Sequence, residues 1–198
     1  MKESLLSVLR DKNTTTAKFR STSDQIAHVL CAETISKLTD GEIDIETPVG
    51  QAIGVPMPED IMVVPIMRAA LPLLPAFTQV LPDIPVGITG IERDETTASP
   101  RAYYKKFPRY LPDRAVILDP MLATGGSACL AVDLLLHAGY SPEAIYFTGV
   151  LAAREGLERL AQVIPQSHIT LVAVDPELDK SKYIVPGLGD YGDRYYGT

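Results

Sequence analysis

The residues best suited to chemistry fall in one segment, Val116-Ile117-Leu118-Asp119-Pro120-Met121-Leu122-Ala123-Thr124-Gly125-Gly126-Ser127. An apolar run ends in an acid. A short loop follows, then two glycines and a hydroxyl residue open a stretch with helical spacing. A helix start offers unpaired N–H groups and the positive end of the helix dipole, which together attract anions. Gly125 and Gly126 let the backbone approach a phosphate closely. Thr124 and Ser127 add hydroxyl donors, and Asp119 is placed to accept from ribose hydroxyls beside that phosphate. A bare Thr-Gly-Gly-Ser is more often a tight turn with serine as N-cap; the strand and acid ahead of it favour a phosphate cradle. Neither G-x-x-x-x-G-K-[ST] nor G-x-G-x-x-G after a strand occurs, which argues against nucleoside triphosphate and dinucleotide loops.

Other candidates lie outside this segment. Arg68 follows the apolar run Ile61-Met62-Val63-Val64-Pro65-Ile66, and Arg93 lies with Arg101, Lys105 and Lys106 in the middle third of the chain, where a local positive pocket could form. Guanidinium forks suit diphosphate oxygens, although a lone arginine in such a place is more often a surface ion pair. Lys105 and Lys106 could close over an anion or form a solvated charge pair. His28, His137 and His168 are scattered and read as structural. Asp133 and His137 share a helix face at i, i+4 and read as a solvated pair. Cys31 and Cys129 form no C-x-x-C motif and read as buried, reduced thiols.

The elements that must position these residues alternate. Apolar residues at Ile26, Val29, Leu30, Ile35 and Leu38 recur at helical spacing after the capping run Thr14-Thr15-Thr16, with Gly41 as the stop. Residues 42–47 alternate like a half-buried strand. Strands are then expected over 61–66, 86–91, 115–119, 145–151 and 169–174, with helices over 71–80, 127–137 and 155–163. Strands apolar on both faces, alternating with helices, predict an α/β fold with a central, mostly parallel sheet flanked by helices. Ligands in such sheets sit beyond the carboxyl ends of the strands, where Arg68 and the 119–127 loop fall. Residues 93–112 are polar and read as a long hairpin or mobile arm. Residues 182–198 are dense in Gly, Tyr and Asp and read as a set of specific turns. No repeat or linker divides residues 1–198, so one domain is expected.

Composition sets limits. Lys plus Arg is 18 and Asp plus Glu is 25, a net charge of −7 that disfavours nucleic acid and anionic membrane as partners. An apolar fraction of 46% and a charged fraction of 22% belong to a folded domain rather than a disordered chain. No signal peptide or membrane-length apolar run is visible, and two unpaired cysteines fit a reducing compartment. A cytoplasmic location is expected.

The form Asp119-Pro120-Met121-Leu122-Ala123-Thr124-Gly125-Gly126-Ser127 resembles the donor-binding signature of the type I phosphoribosyltransferases, and within them the uracil phosphoribosyltransferases. Leu9-Arg10-Asp11-Lys12-Asn13-Thr14 through Phe19-Arg20 is similar to that family's N-terminal element. Val64-Pro65-Ile66-Met67-Arg68-Ala69-Ala70-Leu71 is similar to its diphosphate loop, and Glu92-Arg93-Asp94-Glu95-Thr96 to the start of its arm. Tyr183-Ile184-Val185-Pro186-Gly187-Leu188-Gly189-Asp190-Tyr191-Gly192-Asp193-Arg194 is similar to its base-binding tail.

The resemblance implies the type I phosphoribosyltransferase fold, with a β-arm at about 93–112 and a C-terminal hood at about 182–198. It implies the reaction of uracil with 5-phospho-α-D-ribose 1-diphosphate (PRPP) to UMP and diphosphate, in pyrimidine salvage. PRPP would be held by Arg68, Arg93, Asp190 and the run Asp119, Pro120, Met121, Leu122, Ala123, Thr124, Gly125, Gly126 and Ser127. Arg68, Arg93 and Asp190 would serve the chemical step. Ile184, Gly189, Asp190 and Tyr191 would read uracil, largely through backbone. Tyr183, Tyr191, Tyr195 and Tyr196 read either as packing or as a wall against the base. Mg²⁺ is the implied cofactor, without an assigned protein ligand, and a homodimer or higher homo-oligomer is implied.

This chain departs from the family pattern in four places. Pro120 replaces a second acid found in many type I enzymes, Ala70 a common Gly and Arg154 a common Pro. The N-terminus looks shorter than usual, which would remove a segment that often contributes to assembly. Three other readings stand beside the main one. They are a non-catalytic or RNA-binding regulator on the same fold, a transferase for a purine or orotate, and a degenerate partner subunit.

Overall fold

The computed structural model describes residues 1–93 and 99–198, the Arg93 side chain excepted. The order of elements is α1 (Lys2–Arg10), α2 (Thr16–Leu38), β1 (Ile43–Thr47), β2 (Gly50–Gly54), β3 (Ile61–Met67), α3 (Leu74–Val80), β4 (Ile88–Arg93) and β5 (Pro100–Lys106). There follow β6 (Arg114–Leu118), β7 (Met121–Leu122), α4 (Gly126–Ala138), β8 (Ile145–Ala153), α5 (Arg154–Leu160), β9 (Ile169–Asp175), β10 (Glu177–Leu178), β11 (Ile184–Val185) and α6 (Tyr191–Tyr196).

The main sheet runs β5-β4-β3-β6-β8, with β9 on the far side of β8 and the short β7 continuing the β6 edge along β8. Every pairing is parallel except β4 with β5. Both faces are covered, so each strand splits its side chains. Val63, Val116, Leu118 and Val150 face the layer of α1, α2 and α3. Met62, Val64, Ile66, Ala115, Ile117 and Phe147 face α4 and α5. Burial on two sides is why these strands read as continuous apolar runs. A buried hydroxyl pair, Thr34 with Thr148 at 2.7 Å, ties α2 to β8.

The chain moves from β3 outward to β4 and β5, then returns to β6 on the other side of β3 and continues to β8 and β9. The reversal opens a crevice beyond the carboxyl ends of β3 and β6. Arg68 follows the first of these strands and Asp119 the second, so the topology brings together two segments about fifty residues apart in sequence.

Several sequence expectations shift. The arm is a hairpin of β4 with β5, paired from Ile88↔Lys106 to Arg93↔Pro100, and residues 107–112 lie beyond its strands. Asp94, Glu95 and Thr96 of the arm motif, and the Arg93 side chain, lie outside the described residues. The expected helix over 71–80 is a 3₁₀ turn, Leu71–Leu73, followed by α3, each with a proline in its first turn. Thr15, within the proposed capping run, caps α2 by accepting from the Lys18 N–H at 3.3 Å. Helix α1 and the β2 half of the first hairpin were not anticipated. The tail holds the β10–β11 hairpin and α6 as well as turns.

Candidate active site

The loop after β6 forms a tight concavity of about 40 Å³, lined by Asp119 and by each residue from Met121 to Ala128. Gly125, with φ +74°, is the N-cap of α4, so the first N–H groups of a 13-residue helix open into this space. The Gly126 N–H also reaches the Thr124 hydroxyl at 3.4 Å. Pro120 is placed differently from its neighbours. It is buried and does not line the concavity, and its carbonyl accepts the Val150 and Leu151 N–H groups at 3.0 Å each. It anchors the loop to β8.

Helix α5 supports the loop from behind. Gly156 lies against the carbonyls of Leu122 and Ala123 with no room for a side chain; an added Cβ would stand 2.6 Å from the Leu122 oxygen and closer still to that of Ala123. One turn on, Arg159 Nη1 donates to the Thr124 carbonyl at 3.3 Å.

Asp119 closes the inner end of the concavity. Burial pushes its carboxyl up to about 7, and the hydrogen bond from the Met121 N–H offsets only part of that. An acid raised in this way contributes stability that is complete below its unfolded pKa of roughly 3.9 and is lost as pH rises through its folded value. Between about pH 4 and 7, the free protein's thermal midpoint therefore falls with rising pH more steeply than that of Asp119→Asn. Thermal unfolding of both proteins across this range measures the difference; parallel curves would contradict it.

A second, larger cavity of about 370 Å³ adjoins the first. Its lining includes Ile184, Gly189, Asp190, Tyr191 and Gly192 from the tail, Ser181, Lys182 and Tyr183 just before it, Ala69 from the loop after β3, and Met121 and Ala123. Met121 and Ala123 line both cavities, so the two are neighbouring chambers of one cleft. The tail is held in place by α6. Asp190 is the N-cap of that helix, its Oδ1 accepting the Asp193 N–H at 2.8 Å. The Tyr196 hydroxyl donates to the Arg68 carbonyl at 3.1 Å, and the Arg68 guanidinium lies 5.7 Å from the Tyr196 ring centre. The tail thus closes onto the loop that carries Arg68. The Met67–Arg68 and Val185–Pro186 peptides are cis.

The uracil phosphoribosyltransferase family profile matches residues 1–198. The chain belongs to the uracil phosphoribosyltransferase family. It is 40% identical over 197 residues to a uracil phosphoribosyltransferase of Campylobacter curvus, covering 99% of this chain and 94% of that one. The solved structure of a protein from Aquifex aeolicus superposes with a TM-score of 0.84 at 34% identity, covering 100% and 94% of the two chains. A hypoxanthine-guanine phosphoribosyltransferase of Bacillus anthracis superposes with a TM-score of 0.52 at 9% identity, over 81% and 80%, a likeness of fold alone. The architecture is that of the type I phosphoribosyltransferases.

Among the residues expected to act, the structure gathers Asp119 and each residue from Met121 to Ser127 in one chamber, and Ile184, Gly189, Asp190 and Tyr191 in the other. Arg68 is exposed at the cleft, next to the lining residue Ala69. Tyr191 lines the pocket, yet its ring is 1% exposed and packs edge-on to Phe19 at 5.3 Å. That ring belongs to the core, which leaves the backbone as the natural donor and acceptor to a ligand. Tyr183 is exposed on the pocket rim, and Tyr196 braces Arg68. Lys105 and Lys106 are exposed on β5.

The histidines are structural, as expected. His28 bonds the Asp24 carbonyl and Gln79, and His168 stacks on Tyr146 at 4.0 Å. His137 and Asp133 are both exposed on one face of α4, and the His137 ring bonds the Asp133 carbonyl. Cys31 is buried, and burial pushes its thiol up to about 12; Cys129 is only half-buried. The roles of Ala69, Gly156 and Arg159 were missed. Only Ala69 had a sequence signal, its place in the diphosphate-loop motif.

Proposed function

We propose that the protein transfers the 5-phosphoribosyl group of PRPP to N1 of uracil, giving UMP and diphosphate. The carrying observation is the shared wall of the two chambers: Met121 and Ala123 line a small concavity at the helix start on one side and a cavity with ample room for a base on the other. A nucleoside monophosphate spans such a pair, with phosphate at the helix start and base under the tail. Family membership supports the same reading, because its members carry the name of this reaction.

In this reading the 5′-phosphate takes the N–H groups and hydroxyls of Thr124, Gly125, Gly126 and Ser127, and Asp119 accepts from the ribose hydroxyls. Arg68 meets the diphosphate with its guanidinium fork, and Arg93 is assigned to the same group by the family pattern. Asp190 lies between donor and base, with one carboxylate oxygen committed to capping α6 and the other available. Uracil presents acceptor, donor and acceptor along O2, N3–H and O4. The backbone of Ile184, Gly189, Asp190 and Tyr191 supplies the complementary set. Cytosine, with an unprotonated N3 and a C4 amino group, leaves two such groups unmatched, at roughly 1–3 kcal/mol each.

Positive charge develops at the anomeric carbon as diphosphate leaves, so the site's work is to hold the leaving group, fix the base and exclude water. Mg²⁺ would supply charge neutralisation on the diphosphate. Among the described residues no three acidic, histidine or cysteine side chains converge on one metal position. That donor set fits an ion held mainly by phosphate and water oxygens with a single carboxylate, for which Asp190 is the candidate.

A homodimer or larger homo-oligomer is part of the same reading, and the cytoplasmic location rests on the two free thiols. The RNA-binding alternative gains nothing from the fold or from the net charge of −7.

Thermal shift tests whether one ligand fills both chambers. A ligand of the folded state raises the thermal midpoint according to its affinity. UMP is expected to raise it more than ribose 5-phosphate or CMP at equal concentration. Equal shifts for UMP and CMP would remove the pyrimidine from the tail.

A further inference from the structure

The motif Leu9-Arg10-Asp11 has no part in the reaction as described above, yet it lies directly beneath the base loop. Arg10 ends α1, and Asp175 ends β9. Arg10 Nη2 donates to Asp175 Oδ1 at 2.6 Å, and Nη1 donates to Asp175 Oδ2 at 2.7 Å and to the Gly187 carbonyl at 2.8 Å. Asp175 Oδ2 also accepts the Gly187 N–H at 2.8 Å. Both backbone groups of Gly187 are therefore held by one ion pair, whose carboxylate side chain is only 7% exposed.

Gly187 is the pivot of the loop between Ile184 and Gly189. Its φ is +61°, and an added Cβ would overlap the Ile184 carbonyl, 2.9 Å from the carbonyl carbon itself. The turn is closed on one side by Ile184 and on the other by Arg10 and Asp175. Arg194 strengthens the joint: it donates to the carbonyls of Leu9 and of Asp11, the latter at 2.7 Å, and to the Leu188 carbonyl at 2.7 Å. The part of the cradle at the start of α4, residues 124–127, is supported by α5 on the opposite face of the sheet, while Met121 and Ala123 pack on the face that holds Leu9, Ile184 and Leu188.

We propose that Arg10 and Asp175 are positioning residues for base recognition: by gripping Gly187 they set the spacing between Ile184 and the Gly189-Asp190-Tyr191 segment, and so the fit of the pyrimidine edge. The inference rests on the assignment of that segment to uracil. Removing Arg10 leaves a buried carboxylate unpaired and frees the Gly187 carbonyl, so the turn relaxes. The part of the cradle at residues 124–127 does not share this support. The defect therefore falls mainly on uracil and reaches PRPP only through Asp190, whereas a loss of general stability lowers the active fraction and leaves both KM values alone.

The test is Arg10→Ala in steady-state kinetics with each substrate varied in turn, and added guanidinium as a chemical rescue. The expected result is a uracil KM raised about tenfold or more with a PRPP KM within about twofold of the parent. Millimolar guanidinium, which can refill the gap between Asp175 and Gly187, is expected to bring the uracil KM back down. A uracil KM within twofold of the parent, equal rises for both substrates, or no response to guanidinium overturns the inference. If Arg10→Ala does not fold, Arg10→Lys, which keeps the charge but loses the fork, is read by the same KM criterion. An unsubstituted protein that does not use uracil overturns the proposed function itself. An active one indifferent to Arg10 overturns only this inference.

Discussion

Gly156→Ala is expected to lower kcat/KM for PRPP by about tenfold and up to about 10²-fold, although residue 156 touches neither proposed substrate. The reason is steric. The new Cβ would stand 2.6 Å from the Leu122 carbonyl oxygen and closer to that of Ala123. Both obstacles are backbone, so no side-chain rotation relieves them. The helix or the loop must move by several tenths of an ångström. The loop is the weaker party, because α5 is fixed by the buried Leu160 while Ala123 and Thr124 border an open concavity. Displacement of the 5′-phosphate cradle by that amount misaligns the anomeric carbon with the base, and misplacement of reacting atoms by about 1 Å costs around 10²-fold. Overpacking also costs about 1–3 kcal/mol of stability, so circular dichroism at the assay temperature belongs with the kinetics. A folded variant with kcat/KM near that of the parent would show that the contact between α5 and the loop does not position the cradle.

Arg68→Ala is expected to lower kcat/KM for PRPP by about 10²–10³-fold, the scale seen when a preorganised donor to a developing anion is removed. Arg68 is exposed beside Ala69, which lines the larger chamber; it follows β3 at the sheet's switch point and is steadied by Tyr196 through its carbonyl and its guanidinium. Arg68→Lys is expected to recover only part of the loss, because an ammonium restores the charge but not the two-pronged contact with diphosphate. Wild-type kinetics in Arg68→Ala would remove the loop after β3 from the donor site.

The parallel sheet and the cradle were legible in the sequence for the same reason: each is written in contiguous residues. Ile61 to Ile66 is apolar on both faces, and the segment from Val116 to Ser127 carries strand, acid, glycines and hydroxyls in one run. The tail was legible as a family resemblance but not as structure. Helix α6 has 6 residues, among them Gly192, and is too short and too poor in helix formers to announce itself. It exists because Asp190 caps it and Tyr191 is buried against Phe19. Helix α1 failed to register because it buries only Leu6 and Leu9. The expected helix over 71–80 is divided between Leu73 and Leu74 into two pieces, each with a proline in its first turn. What could not be read at all are contacts between distant positions. Arg10 and Asp175 are 165 residues apart, and nothing local to Gly156 or Gly187 tells which carbonyl each must clear.

The central claim is that one cleft joins a phosphoribosyl cradle to a pocket that reads the pyrimidine edge by backbone. Diphosphate release from PRPP and Mg²⁺ with uracil, cytosine, orotate, hypoxanthine and guanine in parallel tests it most directly. The account predicts release with uracil alone and UMP as the product. Release with another base in preference to uracil would keep the cradle and contradict the tail. No release with any base, despite measurable PRPP binding, would contradict the catalytic reading itself.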